Sequence, residues 1–366
     1  MKCFSCVKRL SSHRYLVQLA GTCVIFLLLP CLLVIYSAIQ QSIKALTDTT
    51  NQFYLHTTES FSSYFQKELN DMRTHALQIS ADSRNSKKEG SVLLQLVQQT
   101  NPYYYSEAIS LLKGYGQSNP SFVGIYLENT DAFITKSYKY TADSYLSASL
   151  NITDSELQKK LIDFFASDDS PRFRFASTFG KGVDSQELLL IGIPAAVTAL
   201  RSPALFVYAI SVNSIDTTQF SSPGTYGAQY DIFSGGDPYL LFSTGCQDTA
   251  GLEEIGSLID FERTRLEGST IQEVSQNDLQ YTLFAVWDTS LGCYCVVSAP
   301  YDQINQSAYD YYSVMKIILL ITVGVLTILL AVLIYINYSP ILQIIRKVRP
   351  GNGGKNELLT ISTAID

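Results

Sequence analysis

The sequence predicts an α+β protein in which a long N-terminal helix and two antiparallel sheet units are flanked by two transmembrane helices. Three observations support this fold class. Two uncharged apolar runs lie near the two ends of the chain. A polar segment with helical periodicity follows the first run. Strand patterns separated by turn residues then fill the chain up to the second run.

The two apolar runs predict transmembrane helices at residues 16–39 and 315–337. A helix needs about 20 apolar residues to cross the ~30 Å hydrocarbon core of a bilayer. Backbone groups in lipid must bond within their own segment, so each run is expected to be helical. A cleaved signal peptide is the alternative for the first run, but the run is longer than the roughly 7–15 apolar residues of such signals.

The distribution of charge predicts the orientation of the chain. Residues 1–15 carry four basic and no acidic side chains, and residues 338–366 carry four basic side chains against Glu357 and Asp366. Lys and Arg beside a span favour the cytoplasm, so both termini of this two-pass cell-membrane protein are expected inside and residues 40–314 outside. The rest of the chain holds 18 basic and 31 acidic residues, a balance that argues against nucleic-acid binding.

A long helix is predicted directly after the first span, from Ser42 to about Ser80. Apolar residues such as Phe61, Leu69 and Met72 recur there at helical spacing, and the stretch contains no Pro or Gly. One apolar stripe on a polar helix needs a partner. The partner is expected to be the following domain, the same helix of a second subunit, or both, so a homodimer through this entry helix is predicted.

Two sheet units are predicted after the entry helix. The larger unit, about residues 83–215, has strands expected at 122–127, 132–137, 173–179, 188–197 and 204–212, and a helix at 155–166 after Asp154. The smaller unit, about residues 225–300, has a hairpin expected at 229–233 and 239–242, a short helix at 252–258, and strands at 278–286 and 292–299. The two apolar strands at 188–197 and 204–212 are expected to be adjacent in the centre of a sheet.

This order of elements resembles the extracellular double Cache sensor domains of bacterial receptors, which have two PAS-like sheet units. The resemblance rests on the two spans, the long helix, and the segments FVGIYLENTDAFITKS, ELLLIGIPAAV, ALFVYAISV and CYCVVSAPYDQI. It covers nearly all of residues 40–315. It implies an extracellular sensor that binds an unknown small molecule in its membrane-distal unit and signals across the membrane.

The segment after the second span resembles the linker of membrane-anchored AraC-type transcriptional regulators, on Tyr338-Ser-Pro-Ile341 and Asn356-Glu-Leu-Leu-Thr-Ile361. A HAMP linker is the alternative, although its Pro and acidic elements are usually about twice as far apart. The chain ends at Asp366, so we expect a 338–366 linker stub without the DNA-binding domain of that family. The alternative interpretations are a fragment of a sensor kinase or chemotaxis-type receptor, or a cell-surface domain that does not signal.

No catalytic, metal-binding or cofactor-binding motif is recognisable in the sequence. The three histidines are His13 in the basic tail and His56 and His75 on the entry helix, so none follows the second span as a phosphoacceptor. We therefore expect no enzyme activity, no cofactor and no metal.

Aromatic and basic residues in the larger unit are the candidates for ligand binding, because ligand pockets combine apolar walls with a few polar groups. These residues are Tyr126, Lys136, Tyr138, Tyr140, Tyr145, Arg172, Arg174 and Tyr208. The alternative is that they serve packing and surface roles, since the chain has 24 tyrosines. Cys293 and Cys295 point to one face of a strand, and either is a candidate for a disulfide with Cys246.

Overall fold

The computed structural model describes residues 22, 29–82, 102–152, 154–166, 173–178, 188–194, 204–211, 215–217, 220, 228–236, 238–244, 256–276 and 279–348. The predicted basic tail, half of the first span, Arg172, Cys246 and the linker beyond residue 348 lie outside these residues. The chain divides into two units: Thr50–Ile304 form one, and Met1–Thr49 with Asn305–Asp366 form the other.

Two very long helices pass from one unit into the other along the chain. Helix α1 runs over Leu29–Asp82, which confirms the predicted entry helix and extends it. The last helix, Tyr301–Val348, begins directly after a strand and includes Pro340. Both contain stretches long and apolar enough to cross a membrane, and the side chains of these stretches are exposed. Among the described residues, two helices are therefore candidates for membrane spans.

A six-stranded antiparallel sheet forms the larger part of the Thr50–Ile304 unit. In chain order its segment comprises α2 (Pro102–Ser118), β1 (Phe122–Leu127), β2 (Ala132–Thr135), β3 (Lys139–Tyr140), α3 (Ala142–Ser149), α4 (Ser155–Ala166), β4 (Arg174–Ser177), β5 (Leu188–Pro194) and β6 (Ala204–Ser211). The strand order is β3-β2-β1-β6-β5-β4. The predicted pairing of the two apolar strands is confirmed, with Leu188 opposite Ser211 and Pro194 opposite Leu205.

A five-stranded antiparallel sheet follows, in the order β8-β7-β11-β10-β9. Its elements are β7 (Gln229–Ser234), β8 (Leu240–Ser243), α5 (Phe261–Glu267), β9 (Ser269–Gln276), β10 (Leu279–Asp288), β11 (Cys293–Pro300) and then α6 (Tyr301–Val348). The predicted hairpin β7–β8 and the pair β10–β11 are confirmed. The sequence interpretation missed β3, α3, α5 and β9. Strand β11 lies in the middle of the sheet and leads into α6 without a connecting loop.

Helix α1 supplies the core on the inner faces of both sheets. Its stripe of buried residues consists of Tyr54, Phe61, Phe65, Leu69, Met72, Ala76 and Ile79. The ring of Tyr54 stacks on Phe284 of the smaller sheet with centroids 5.1 Å apart. The ring of Phe65 lies 6.3 Å from Phe175 of the larger sheet. One amphipathic helix face thus buries apolar surface of both sheets, which is why the stripe continues over seven turns.

Shorter helices cover the outer faces of the two sheets. Helices α3 and α4 pack on the outer face of the larger sheet, and their apolar partners there include Tyr126, Phe133 and Val207. Helix α5 packs on β9 and β10 of the smaller sheet. Asp154 caps α4 by accepting a hydrogen bond from the Glu156 amide at 2.8 Å, as the sequence predicted.

A polar contact joins α1 to the turn between β10 and β11. The Ser62 hydroxyl donates to Asp288 Oδ2 at 2.8 Å, and the Gln66 amide donates to the Ser290 hydroxyl at 2.8 Å. Asp288 Oδ1 also accepts from the backbone amides of Ser290 and Leu291, which fixes the carboxylate in the turn. Unlike apolar packing, these bonds fix the position of α1 along the sheet.

Removal of one side chain from the α1 stripe should destabilise the folded unit strongly. Leu69 is completely buried, so Leu69→Ala is expected to lower the free energy of unfolding by about 2–5 kcal/mol, through lost burial and a residual cavity. Leu77→Ala is the matched control, because Leu77 lies on the same helix and is 49% exposed. It should cost about 0.5 kcal/mol or less. Denaturant unfolding of the full chain in detergent, followed by Trp287 fluorescence, measures both, and equal effects would contradict the packing described.

Candidate functional site

A connected set of aromatic rings covers the outer face of the larger sheet. We call Tyr126, Phe133, Tyr140, Tyr145 and Phe165 the outer aromatic cluster. Its ring centroids are separated by 5.2 Å between Tyr126 and Phe165, 5.7 Å between Phe165 and Phe133, 4.0 Å between Phe133 and Tyr145, and 5.9 Å between Tyr145 and Tyr140. The structure therefore brings together three of the predicted ligand-binding tyrosines.

Local structure explains why these rings meet. Tyr126 and Phe133 are directly opposite each other in the β1–β2 pair, so both side chains point to the same face. Helix α3 begins after Thr141, whose side chain accepts from the Ser144 amide, and this turn directs Tyr145 onto Phe133. Helix α4 contributes Phe165. The cluster thus depends on two strands and two short helices.

The cluster carries hydrogen-bond donors in apolar surroundings. Tyr126 donates from its hydroxyl to Asp131 Oδ1 at 3.3 Å, and Asp131 adopts a left-handed backbone conformation with φ of 44°. Burial, together with the nearby Asp131 carboxylate, raises the pKa of Tyr126 to about 12. Burial also raises the pKa of Tyr145 well above its ordinary value. Both hydroxyls therefore stay protonated at neutral pH. The Tyr126 hydrogen is donated to Asp131, so its oxygen can accept from a ligand, whereas the Tyr145 hydroxyl can donate to one.

Two of the predicted site residues lie at the edges of this cluster. Tyr138 is 65% exposed, and its ring lies 6.2 Å from Tyr140, so it extends the cluster to the surface. Arg174, on edge strand β4, donates from Nη1 to the Phe165 carbonyl at 3.3 Å and could supply positive charge beside the aromatic rings. Lys136 is exposed at the turn between β2 and β3, but its side-chain carbons lie against Gly116 of α2, which belongs to the inner side of the sheet.

Tyr208 is not brought to the outer aromatic cluster. It is completely buried on the inner face of the larger sheet, and its hydroxyl donates to the Met72 carbonyl of α1 at 2.9 Å. His75 Nδ1 lies 3.0 Å from the same hydroxyl. Burial raises the pKa of Tyr208 far above its ordinary value. This residue therefore connects a central strand to the long helix.

Buried polar groups of the smaller sheet form a second feature that the sequence interpretation did not include. Asp231 is completely buried, and its two carboxylate oxygens accept from the Gln229 amide at 2.9 and 3.2 Å. Burial raises the pKa of Asp231 to about 6, although hydrogen bonds from Ser243 and Gln229 oppose the rise. A lone Asp in an apolar strand is the signal from which this feature could have been found.

The two strand cysteines are buried on the inner face of the smaller sheet, as their spacing predicted. Within the part of the chain that the structure describes, neither Cys293 nor Cys295 forms a disulfide. A hydrogen bond with Cys295 and burial raise the pKa of the Cys293 thiol well above its ordinary value. Since Cys246 lies outside the described residues, its disulfide with either thiol stays a prediction.

Comparisons with known proteins return structures but no sequence families. No family model matches the chain, and no curated protein matches it. The extracellular domain of the histidine kinase soHK1S-Z6 is 14% identical with a TM-score of 0.44, covering 74% of this chain and 99% of that one. The sensory domain of the Campylobacter jejuni chemoreceptor Tlp3 with isoleucine bound is 13% identical with a TM-score of 0.37, covering 74% and 97%. A domain of a Vibrio parahaemolyticus sensory box/GGDEF family protein is 11% identical with a TM-score of 0.43, covering 71% and 99%.

The raised pKa of Asp231 predicts the direction in which the free energy of unfolding changes with pH. A carboxyl whose pKa is higher in the folded than in the unfolded chain lowers the free energy of unfolding as pH rises from about 4 to above 6. Asp231→Asn does not titrate, so its stability relative to the native chain should increase over that interval and stay constant above pH 7. The control is Val296→Ala, which replaces the residue opposite Asp231 and changes no titratable group. Its stability relative to the native chain should not change with pH. A pH-independent difference for Asp231→Asn, measured by urea unfolding, would contradict the buried carboxyl.

Proposed function

We propose that the protein is a membrane-anchored sensor of Cache type that binds a small molecule at the outer aromatic cluster and signals across the membrane. The single observation that carries the proposal is the cluster itself. It joins buried tyrosines to an exposed ring at Tyr138, and Arg174 lies at its edge. Ligand sites in proteins combine aromatic walls with a few fixed polar groups in this way.

The two helices that lie over the outer aromatic cluster are short, which supports ligand entry from solvent. Helices α3 and α4 are 8 and 12 residues long, and they pack on the sheet through Tyr145 and Phe165 of the cluster together with aliphatic neighbours such as Leu161. Helices this short owe their stability to packing rather than to their own hydrogen bonds. A ligand that inserts between the rings would therefore displace α3 and α4 and shift the sheet beneath them, whose inner face contacts α1.

The path of a signal follows from the chain. The inner face of the larger sheet contacts α1, which also contacts the smaller sheet through Ser62 and Tyr54. The central strand β11 of that sheet continues directly into α6. A helix shift of about 1–2 Å is typical of such switches. Ligand binding at the cluster would thus act on both helices that carry the candidate spans.

The proposal also concerns what the sensor controls inside the cell. The sequence favours an AraC-type transcriptional regulator because of the linker after the second span. The alternative is a sensor kinase or chemotaxis-type receptor, and the solved domains named above come from a kinase, a chemoreceptor and a GGDEF family protein. Dimerisation through α1 and cytoplasmic location of both termini belong to the same proposal, as does the absence of enzyme activity from this chain.

A thermal-shift screen of the full chain in detergent against a metabolite library tests the proposal. A true ligand at about 100 times its Kd should stabilise the protein by about 2.7 kcal/mol. Tyr145→Phe removes only a hydroxyl and should weaken binding by about 5- to 50-fold, the cost of one lost hydrogen bond to a ligand.

The matched control is Tyr312→Phe, because Tyr312 is exposed on α6 and outside the cluster. This variant should bind the ligand as the native chain does. A library that yields no stabilising ligand would count against the sensor function. A ligand whose affinity is unchanged by Tyr126→Phe and by Tyr145→Phe would show that the outer aromatic cluster is not the site.

A further inference from the structure

His75 occupies the junction of four elements on the inner face of the larger sheet. Its Nδ1 lies 3.0 Å from the Tyr208 hydroxyl of β6, and its Nε2 lies 3.1 Å from the Tyr115 carbonyl of α2. The ring of Phe122 of β1 contacts the imidazole with centroids 5.3 Å apart. His75 itself is 7% exposed and belongs to α1. One imidazole thus attaches the long helix to α2 and to two neighbouring strands.

The donors and acceptors of this junction limit where its hydrogens can lie. Nε2 lies 3.1 Å from the Tyr115 carbonyl, which only accepts, and 3.3 Å from the Ser118 hydroxyl, which can donate. The neutral ring therefore fits in two tautomers: either Nε2 donates to Tyr115 and Nδ1 accepts from Tyr208, or Nε2 accepts from Ser118 and Nδ1 donates to Tyr208. When a second proton binds, Nδ1 must donate to Tyr208, whose hydrogen can turn to the Met72 carbonyl at 2.9 Å. Hydrogen bonding therefore accommodates both states of the ring.

The charge of the protonated ring has no such compensation. The titratable groups that face His75 are Tyr208 from β6 and Tyr115 from α2, and β1 presents Phe122. Asp71, one turn earlier on α1, is exposed, and among the described residues no carboxylate forms an ion pair or hydrogen bond with the ring. A cation buried without an anion is costly. In agreement, burial lowers the pKa of His75, against the opposing effect of the Tyr115 carbonyl.

We propose that His75 is a proton-sensing site, and that acidification outside the cell loosens the attachment of α1 to β6 and α2. The neutral ring fits the closed junction, whereas the charged ring is better accommodated when the junction opens and water reaches it. Protonation therefore shifts the population toward the open junction. That this opening serves as a second input to a receptor rests on the proposed function. The opening in acid itself does not depend on that function.

The sign of the effect follows from linkage. The pKa of His75 is lower in the closed junction than its ordinary value of 6.5, so the open state binds the proton more tightly. The closed junction is fully favoured above pH about 6.5 and loses stability as pH falls below that value. Asp231 has the opposite sign, because the pKa of its carboxyl is raised.

Hydrogen exchange of the full chain in lipid nanodiscs, measured from pH 5 to pH 8 and corrected for intrinsic rates, tests the proposal. The amides of residues 72–79 should lose protection as pH falls below about 6.5. His75→Gln should abolish this loss. His56→Gln is the matched control, because His56 is exposed on the same helix, and it should leave the loss unchanged. All variants are compared in the Asp231→Asn background, which removes the opposing titration.

A second measurement covers the case in which His75→Gln does not fold. The double variant His13→Gln with His56→Gln retains His75 as the single histidine, so ¹³C-histidine labelling gives one ring signal. That signal should titrate below pH 6.5. A His75 that titrates at or above 6.5 would overturn the proposal. Protection that does not change with pH, or changes equally in His75→Gln, would overturn it as well. Neither readout involves a ligand, so the sensor function is tested separately.

Discussion

The apolar stripe on α1 is the set of contacts that both sheets share. Residues from Tyr54 to Phe61 pack on the smaller sheet, and residues from Phe65 to Ile79 pack on the larger sheet. Helix and sheets alike bury on this interface the apolar faces that would otherwise meet water. Burial of this kind is the main favourable term in folding, at about 25 cal/mol per Å² of apolar surface. One helix thus contacts both sheets of the unit, and β8 of the smaller sheet also contacts β4 and β5 of the larger sheet directly.

Hydrogen bonds at two positions along α1 determine its register. Apolar side chains tolerate sliding, but Ser62 reaches a fixed carboxylate of Asp288, and His75 reaches Tyr208 and the Tyr115 carbonyl. The first contact belongs to the sheet that leads into α6. The second belongs to the sheet that carries the outer aromatic cluster. A change at either contact would move the same helix. Ligand binding at the outer aromatic cluster and protonation of His75 are therefore both proposed to act through α1.

The fold could be predicted where the hydrophobic pattern was strong. The helical spacing of Phe61, Leu69 and Met72 and the apolar runs of β5 and β6 identified α1 and the central strands. Strand β9 was missed because it is an edge strand with the polar sequence STIQEVSQ, which carries no alternation of apolar residues. Helices α3 and α5 were missed because they have eight and seven residues, about two turns each, too few for periodicity to appear.

The candidate site was predictable only in part, for a reason that lies in β6. Phe206 and Tyr208 point to α1, whereas Leu205 and Val207 point to the outer face, and all four are apolar or aromatic. A strand buried on both faces has no polar side, so its sequence does not say which residues share a face. Tyr208 was therefore grouped with Tyr126, although the sheet separates them. His75 was identified only as a helix residue, because its partners come from distant segments.

Native-state hydrogen exchange at increasing denaturant tests most directly whether α1 unites the two sheets. If the shared stripe makes one cooperative unit, the slowest amides of β6, β11 and the Phe61–Ile79 part of α1 should open with one free energy and one denaturant dependence. If β11 and the smaller sheet open at a distinctly lower free energy while β6 and α1 remain protected, the sheets fold independently, and the account given for α1 is contradicted.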